Sequence, residues 1–436
     1  FAHTYTRFSK NLLTACNTVG HWKILSSLSL NSFCRFNLKK KSGQSDLFIY
    51  TILTQRQLLS NRLKSDLTVT SPGRINMIGE HTDYNNGYVL PAAIDKTITL
   101  KLGKNDSEKS CKVYSMEYAD MFEFDLDCIE RTHTGWKNYV LGVLHEISQH
   151  TDKLKGFDCT IESHIPIGSG MSSSAALECG LASGLNELFN LGLSKWEIIK
   201  LSQKAEHDFV GTKCGIMDQF ASVMGKMDHV MLLDCMTLGF DYIPMDLTPY
   251  RILLLNTNVT HNLASSEYNS RRAQCEKGLA ILQDHFGRNI TLRDATPSML
   301  HQCKETMGRT IYDRCSYVIE ENSRVLQAVK ALKEKDIEQF GRLLYETHQG
   351  LSQKYEVSCP ELDFLVDFSK ERKEVLGARM MGGGFGGCTL NIIHEDAITN
   401  FTEEMGKAYE SKFYRKLDYY QTLPSEGTVV LKHKTN

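Results

Sequence analysis

The stretch that most limits the fold is "PIGSGMSSSAALECGLASGLNELFNL", Pro166 to Leu191. Ser172–Leu191 reads as a helix of mostly small residues, and such a helix can pack tightly on whatever lies beside it. Gly168 and Gly170 stand just ahead of it, where backbone without Cβ atoms comes close to a ligand. A helix N-terminus offers unpaired N–H groups and the positive end of the dipole, which together hold phosphate. Ser172, Ser173 and Ser174 add hydroxyls that reach phosphate or Mg2+. A Ser-capped helix after a flexible loop fits the same letters equally well. No Gly-Lys-Ser/Thr follows, so this is not a Walker A loop. A nucleotide bound here needs its charge met by Mg2+ or an arginine instead.

Around this segment strands and helices alternate irregularly. "LTVTSPG" (Leu67–Gly73) reads as a strand ended by a turn, "GYVLPAAI" (Gly87–Ile94) as a second, and "TITLKLGK" and "CKVYSM" as two more. Trp136–His150 has Val140, Val143, Leu144 and Ile147 on one helical face. "SKWEIIKLSQKAEHDFVG" opens with Ser194 and Glu197 at capping-box spacing and closes at Gly211. "VMLLDC" and "RILLLNTNV" are apolar runs typical of buried strands, and 265–340 is largely helical. "ARMMGGGFGGCTLNIIHE" reads strand, glycine loop, strand. The order implies a two-domain α+β enzyme.

Composition excludes several classes. Of 436 residues, 41% are hydrophobic and 23% charged, and the net charge is −2, so no global basic field points to nucleic acid or an acidic membrane. No apolar run reaches the ~18–20 residues of a membrane span. Thirteen cysteines without a C-x-x-C pair read as reduced thiols in a cytoplasmic protein. The first 45 residues carry seven Lys or Arg and no Asp or Glu. Residues 1–46 are therefore expected to be a basic extension, disordered or outside the fold.

Three further segments carry candidate chemistry. In "MGGGFGGC", Gly382, Gly384 and Gly387 satisfy G-x-G-x-x-G, but a strand follows where a dinucleotide fingerprint must open a helix. In "CGIMDQFAS", Asp218 suits an N-terminal helix cap or a carboxylate that takes a proton from a hydroxyl nucleophile. "GRINMIGEHTDYNNGYVLP" gathers Arg74, Glu80, His81 and Asp83. A metal site would want a second His at ligand spacing, which is missing. Two carboxylates, an imidazole and a guanidinium suit a polyhydroxylated ligand better, because carboxylates accept strong, charge-assisted bonds from neighbouring hydroxyls.

Together, "GRINMIGEHTDYNNGYVLP", "PIGSGMSSSAAL" and "MGGGFGGCTL", in this order, resemble the three motifs of the small-molecule kinases that include galactokinase, homoserine kinase, mevalonate kinase and phosphomevalonate kinase. "CGIMDQF" and "SSEYNSRRAQCE" are similar to segments of the galactokinase members, and the likeness runs from Leu67 to the C-terminus. It implies an N-terminal α/β domain (67–210, ribosomal-protein-S5-like) and a C-terminal ferredoxin-like domain (211–436), with the active site in the cleft between. It also implies transfer of the γ-phosphoryl group of ATP to the C1 hydroxyl of galactose. By motif position, Glu80, His81, Asp83, Gly215, Asp218 and Tyr268 hold the sugar. Arg74 lies between the C1 hydroxyl and the γ-phosphate, and Asp218 is the base or orients the nucleophile. Gly168, Gly170, Ser172 and Ser173 wrap the triphosphate, Ser174 and Glu206 carry Mg2+, and Trp136 lies near adenine. A monomer acting on small molecules alone is expected.

Relatives often have Gly or Ala where Ser169 stands and Leu where Met171 stands, and the "F-G-x-x-P" segment they carry before the first strand has no clear match. Two rival readings remain within the resemblance. Kinases of N-acetylgalactosamine usually vary both "CGIMDQF" and "EHTDY", which here have the galactose form. Non-catalytic galactose sensors have lost residues after the phosphate-loop serines, where Ser174, Ala175 and Ala176 are present.

Overall fold

The computed structural model describes residues 63–133, 135–166, 168–259, 264–286 and 290–434. The expected extension, residues 1–46, lies outside them. The described chain builds two main sheets. The first has six strands: β1 (Leu67–Asn76), β3 (Pro91–Lys104), β4 (Ser110–Ser115), β5 (Asp120–Asp125), β6 (Phe157–Ser163) and β13 (Val429–Lys432), in the order β13-β1-β3-β6-β4-β5. Only the β4–β6 pair is parallel. The edge strand β13 comes from the far end of the chain, so a boundary at Gly211 separates two strands that pair.

Two strands run longer than their letters suggest. β1 continues through Pro72–Gly73, with a register shift between Pro72 and Arg74, instead of turning there. β13 pairs only with Leu67–Thr70, so Pro72 sits where one edge of β1 is open and its missing N–H forfeits no ladder bond on that side. "PAAI" and "TITLKLGK" form the single strand β3 across Asp95 and Lys96, whose side chains stay partly in solvent.

The small-residue segment is helix α2 (Ser173–Phe189), preceded by α1 (Gly135–Ser148). It lies flat on the first sheet: a Cβ on Gly180 would come within 2.7 Å of Leu100 and 2.8 Å of Ser71. Helix α3 (Lys195–Ala205) begins with the reciprocal capping box of Ser194 and Glu197. It runs on as a π-helical turn, Glu206–Val210, that ends at Gly211. Helix α4 (Met217–Met224) follows, and β2 (Tyr88–Val89), β7 (His229–Asp234) and β8 (Phe240–Pro244) make a small third sheet.

The second main sheet is antiparallel, in the order β10-β11-β9-β12, from β9 (Tyr250–Asn256), β10 (Val375–Met380), β11 (Cys388–His394) and β12 (Asp418–Thr422). Counted from β9 as one, the order is 2-3-1-4. Helices lie between β9 and β10, and α10 (Ile398–Phe413) lies between β11 and β12, which makes the β-α-β-β-α-β ferredoxin-like arrangement. Between β9 and β10 run α5 (Ala264–Phe286), α6 (Pro297–Gln302), α7 (Lys304–Glu334), α8 (Ile337–Gly350) and α9 (Pro360–Lys370). Helix α7 braces the polar segment after β1. Glu321 accepts from the Gly79 N–H at 2.9 Å, and Asn322 accepts from the Tyr88 N–H at 2.8 Å. Among the described residues no helix is long and apolar enough to cross a membrane.

Candidate active site

The bulge in β1 carries Arg74 into the interior, where it is 4% exposed. Its backbone N–H reaches Met171 O at 3.1 Å, and its Nη1 donates to Gly170 O at 2.6 Å. Gly170 sits at φ +74°, a conformation that favours glycine. The rest of the guanidinium grips Asp218: Nε to Oδ1 at 2.7 Å and Nη2 to Oδ2 at 2.8 Å. Ser172 Oγ adds a third bond to Asp218 Oδ2 at 2.5 Å. One planar fork therefore ties β1, the glycine loop and α4 together. Burial works against the Arg74 charge, but the carboxylates of Asp218, Glu80 and Asp83 outweigh it and raise its pKa. Asp218 does not cap its helix, whose N-cap is Ile216 without a side-chain bond.

Beside this pair lies a cavity of about 260 Å³. Arg74, Glu80, His81, Asp83, Asp218 and Tyr268 line it, together with Glu206 and Gly382–Gly384. The polar run after β1 and the late glycine loop therefore meet at one site. Glu80 receives Arg379 Nη2 at 2.9 Å and the Gly382 N–H at 2.8 Å on Oε1, and Asn76 Nδ2 at 3.1 Å on Oε2. A carboxylate has about four acceptor sites, so Glu80 keeps one. His81 adopts φ +63°, held by Asn85 Nδ2 on its carbonyl at 2.8 Å. Burial lowers its pKa to about 4, against the pull of Glu80, so the ring is neutral at ordinary pH. Asp83 is pushed up to about 7, first by burial and then by the charge of Asp218. Gly215 lies directly on it: a Cβ there would fall 1.9 Å from Asp83 Oδ2, which excludes any side chain.

Helix α2 starts at Ser173 after Ser172 in a left-handed conformation, and no side chain caps it. Ser172 turns its hydroxyl to Asp218 instead, and the first-turn N–H groups stay open to an anion. Ser174 shares a helix face with Glu178, four residues on. Gln219 Nε2 donates to Glu206 Oε2 at 3.0 Å and to Glu178 Oε2 at 3.4 Å, and Glu178 Oε1 is buried without a partner. Burial and then the Asp218 charge raise Glu206 to about 7; burial and then Glu206 raise Glu178. Two buried carboxyl groups and a serine hydroxyl are hard oxygen donors that fit Mg2+. Among the described residues no group of three His, Cys, Asp or Glu could by itself hold a metal ion.

Trp136 does not line the cavity. It is 9% exposed and stacks on Tyr118, ring centroids 5.9 Å apart. Several residues of the site escaped sequence reasoning. Arg379, fully buried, holds the carbonyls of Asn76 and Met77 as well as Glu80, and so locks β10 to the polar segment. A lone arginine in the apolar run "VLGARMM" was the available signal. For Glu178 the available signal was a charge on the otherwise uncharged stretch Ser172–Asn186. Tyr84 and Tyr355, which support His81 from behind, had no local signal.

A buried arginine–carboxylate fork between an uncapped, glycine-led helix and a wall of hydroxyl-binding groups defines a small-molecule phosphotransferase. Family models agree along the chain: the GHMP kinases N terminal domain matches residues 138–226 and the GHMP kinases C terminal domain 328–411. The galactokinase galactose-binding signature matches residues 60–104. The galactokinase of Thermosipho africanus is 43% identical over 366 residues, covering 84% of this chain and all of that protein. The galactokinase of Clostridium beijerinckii is 41% identical, covering 84% of this chain and 98% of its own. The crystal structure of Lactococcus lactis galactokinase complexed with galactose is 36% identical, with a TM-score of 0.80 over 83% of this chain and 94% of its own. A mevalonate kinase at 20% identity and a TM-score of 0.59 shares the fold. The chain belongs to the galactokinase family.

Proposed function

We propose that this chain is an ATP-dependent galactokinase that phosphorylates the C1 hydroxyl of galactose, releasing galactose 1-phosphate and ADP. The observation that carries the reading is the Arg74–Asp218 fork, set where the glycine loop meets the hydroxyl-binding cavity. Phosphoryl transfer needs alignment and charge neutralisation more than covalent chemistry. Asp218 Oδ2 already accepts two bonds and Oδ1 one, which leaves an open acceptor site on Oδ1 for the C1 hydroxyl. There Asp218 orients the nucleophile and takes its proton. Arg74 supplies the cation that a Walker lysine supplies elsewhere. Glu80, His81, Asp83 and Tyr268 fix the sugar, and Gly215 makes room for Asp83.

The triphosphate lies along Gly168–Ser173, on the open N–H groups of α2. Ser174 and Glu206 would hold Mg2+, with Glu178 behind them. When bound, the ion neutralises charge on the β- and γ-phosphates. Trp136, in its aromatic cluster, borders the adenine end of the site. The enzyme works as a cytoplasmic monomer, with lobes spanning 67–210 and 211–436, the second of which returns β13 to the sheet of the first.

The test is phosphoryl transfer from labelled ATP to a panel of galactose, N-acetylgalactosamine, glucose and mevalonate. Galactose is expected to lead. Glucose reverses the C4 hydroxyl and leaves a cavity carboxylate without its partner, at about 1–3 kcal/mol. Equal kcat/KM for galactose and glucose would overturn the reading.

A further inference from the structure

Behind the hydroxyl-binding wall runs a chain of four polar groups that phosphoryl transfer itself does not use. Cys275 Sγ lies 3.2 Å from Tyr355 OH, Tyr355 OH lies 2.8 Å from Tyr84 OH, and Tyr84 OH lies 2.6 Å from His81 Nδ1. Cys275 and Tyr355 are fully buried and His81 is 3% exposed. The rings pack as a unit, with His81 at 4.9 Å from Tyr355 and 5.2 Å from Tyr268. At the other end His81 lines the cavity; its Nε2 is buried with no partner at hydrogen-bond distance among the described residues, and the Gly383 backbone faces the ring and favours a proton on it.

Each hydroxyl and the thiol has one proton, so a relay in which Tyr84 donates to the imidazole is fixed throughout, whereas one in which the imidazole donates has four protons for three bonds and one of them must find an acceptor outside it. Two directions run unbroken from end to end. In one, the imidazole donates to Tyr84 and the relay ends with Tyr355 donating to sulfur, a weak acceptor. In the other, Tyr84 donates to Nδ1, Tyr355 donates to Tyr84, and Cys275 donates to Tyr355. The second pairs the phenol proton with a basic nitrogen, the strongest bond on offer, and leaves the proton of the neutral ring on Nε2.

That proton matters to a polyol. The cavity presents the carboxylates of Glu80 and Asp218 and the carboxyl group of Asp83, which burial pushes up to about 7. A sugar hydroxyl that gives its one proton to a carboxylate has only lone pairs left for the imidazole. The imidazole must then donate. We propose that Tyr84, backed by Tyr355 and Cys275, is a positioning residue that holds His81 in the Nε2–H tautomer and so makes it a hydroxyl-binding donor. The identity of the sugar rests on the galactokinase reading; the tautomer does not.

The test uses the full chain labelled with 15N in its histidine rings. Two-bond 1H–15N correlations report the tautomer, and the His81 signals are assigned by their loss in His81→Gln. Wild type, without ligand at neutral pH, is expected to show a proton on Nε2. Tyr84→Phe keeps the ring but removes the donor. It is expected to give mixed tautomers and to raise KM for galactose roughly five- to tenfold, with kcat changed far less. A wild-type ring protonated on Nδ1, or a Tyr84→Phe variant with unchanged tautomer and unchanged KM, would overturn the proposal. Should Tyr84→Phe fail to fold, the wild-type spectrum decides alone. A wild type that shows the Nε2–H ring yet binds no galactose supports the tautomer and sinks the substrate reading.

Discussion

Replacing Asp218 with Asn separates the chemistry of the fork from its architecture. The carboxylate accepts three bonds, two from Arg74 and one from Ser172. Asn keeps the shape and one oxygen. With that oxygen on the Oδ1 side, the new NH2 group faces Arg74 Nη2 and Ser172 Oγ, two donors. Ser172 can rotate to accept, but the guanidinium cannot. One charge-assisted bond is lost, worth about 1.5–3 kcal/mol, and Arg74, 5% exposed in its side chain, is left a buried cation without its counter-charge. Asp218 keeps 23% exposure, so water reaches the gap and the cost in stability stays near ~3 kcal/mol, a few degrees in Tm. Turnover suffers more, because an amide cannot take the proton: kcat should fall by roughly 10²–10⁴-fold. Galactose should still bind, since the amide oxygen can accept from C1–OH. The assays are steady-state kinetics with ATP and galactose, calorimetric sugar binding, and thermal unfolding. A variant that unfolds earlier yet turns over at the wild-type rate would refute the role given to Asp218 and leave it a purely structural partner of Arg74.

Arg74→Lys keeps one positive charge but cannot bridge Asp218 in two places and reach Gly170 as well, so kcat should drop at least tenfold in the same kinetic assay while circular dichroism is unchanged. Asp83 holds its proton to about pH 7 when folded, against an ordinary value of 3.8, so its charge costs stability above pH 7 and nothing below the lower value. Asp83→Asn should therefore raise the ligand-free Tm at pH 8, give no gain at pH 4, and weaken galactose binding. Arg379→Met strands the buried Glu80 and three backbone carbonyls, and denaturant unfolding should show a loss of about 3–5 kcal/mol.

What the letters revealed depended on sequence distance. Arg74, Glu80, His81 and Asp83 stand within ten residues, and so dense a polar run inside a β-rich stretch marks a site before any coordinates are known. The glycine-led start of α2 and the strand after "MGGGFGG" were equally local. The course of β1 was not. Whether Pro72 ends a strand depends on which partner stops short of it, and that partner is residues 429–432 at the other end of the chain. A helix cap is the commoner role for an Asp placed like Asp218, and its letters alone did not reveal Arg74 opposite it, 144 residues away. Arg379 and Tyr355 were missed because each acts on a motif residue through a long-range contact, and Tyr84, only three residues from His81, because ring packing has no local signature.

The account centres on a C1 hydroxyl aligned between Asp218 and Arg74, and the position of the transferred phosphate tests it most directly. Galactose labelled with 13C at every carbon is incubated with ATP, Mg2+ and the enzyme, and the 13C–31P couplings of the product are read by NMR. The account predicts couplings that place the phosphate on C1, absent when Asp218→Asn is used over the same time. Couplings that place it on C6, or no phosphorylated sugar at all, would contradict it.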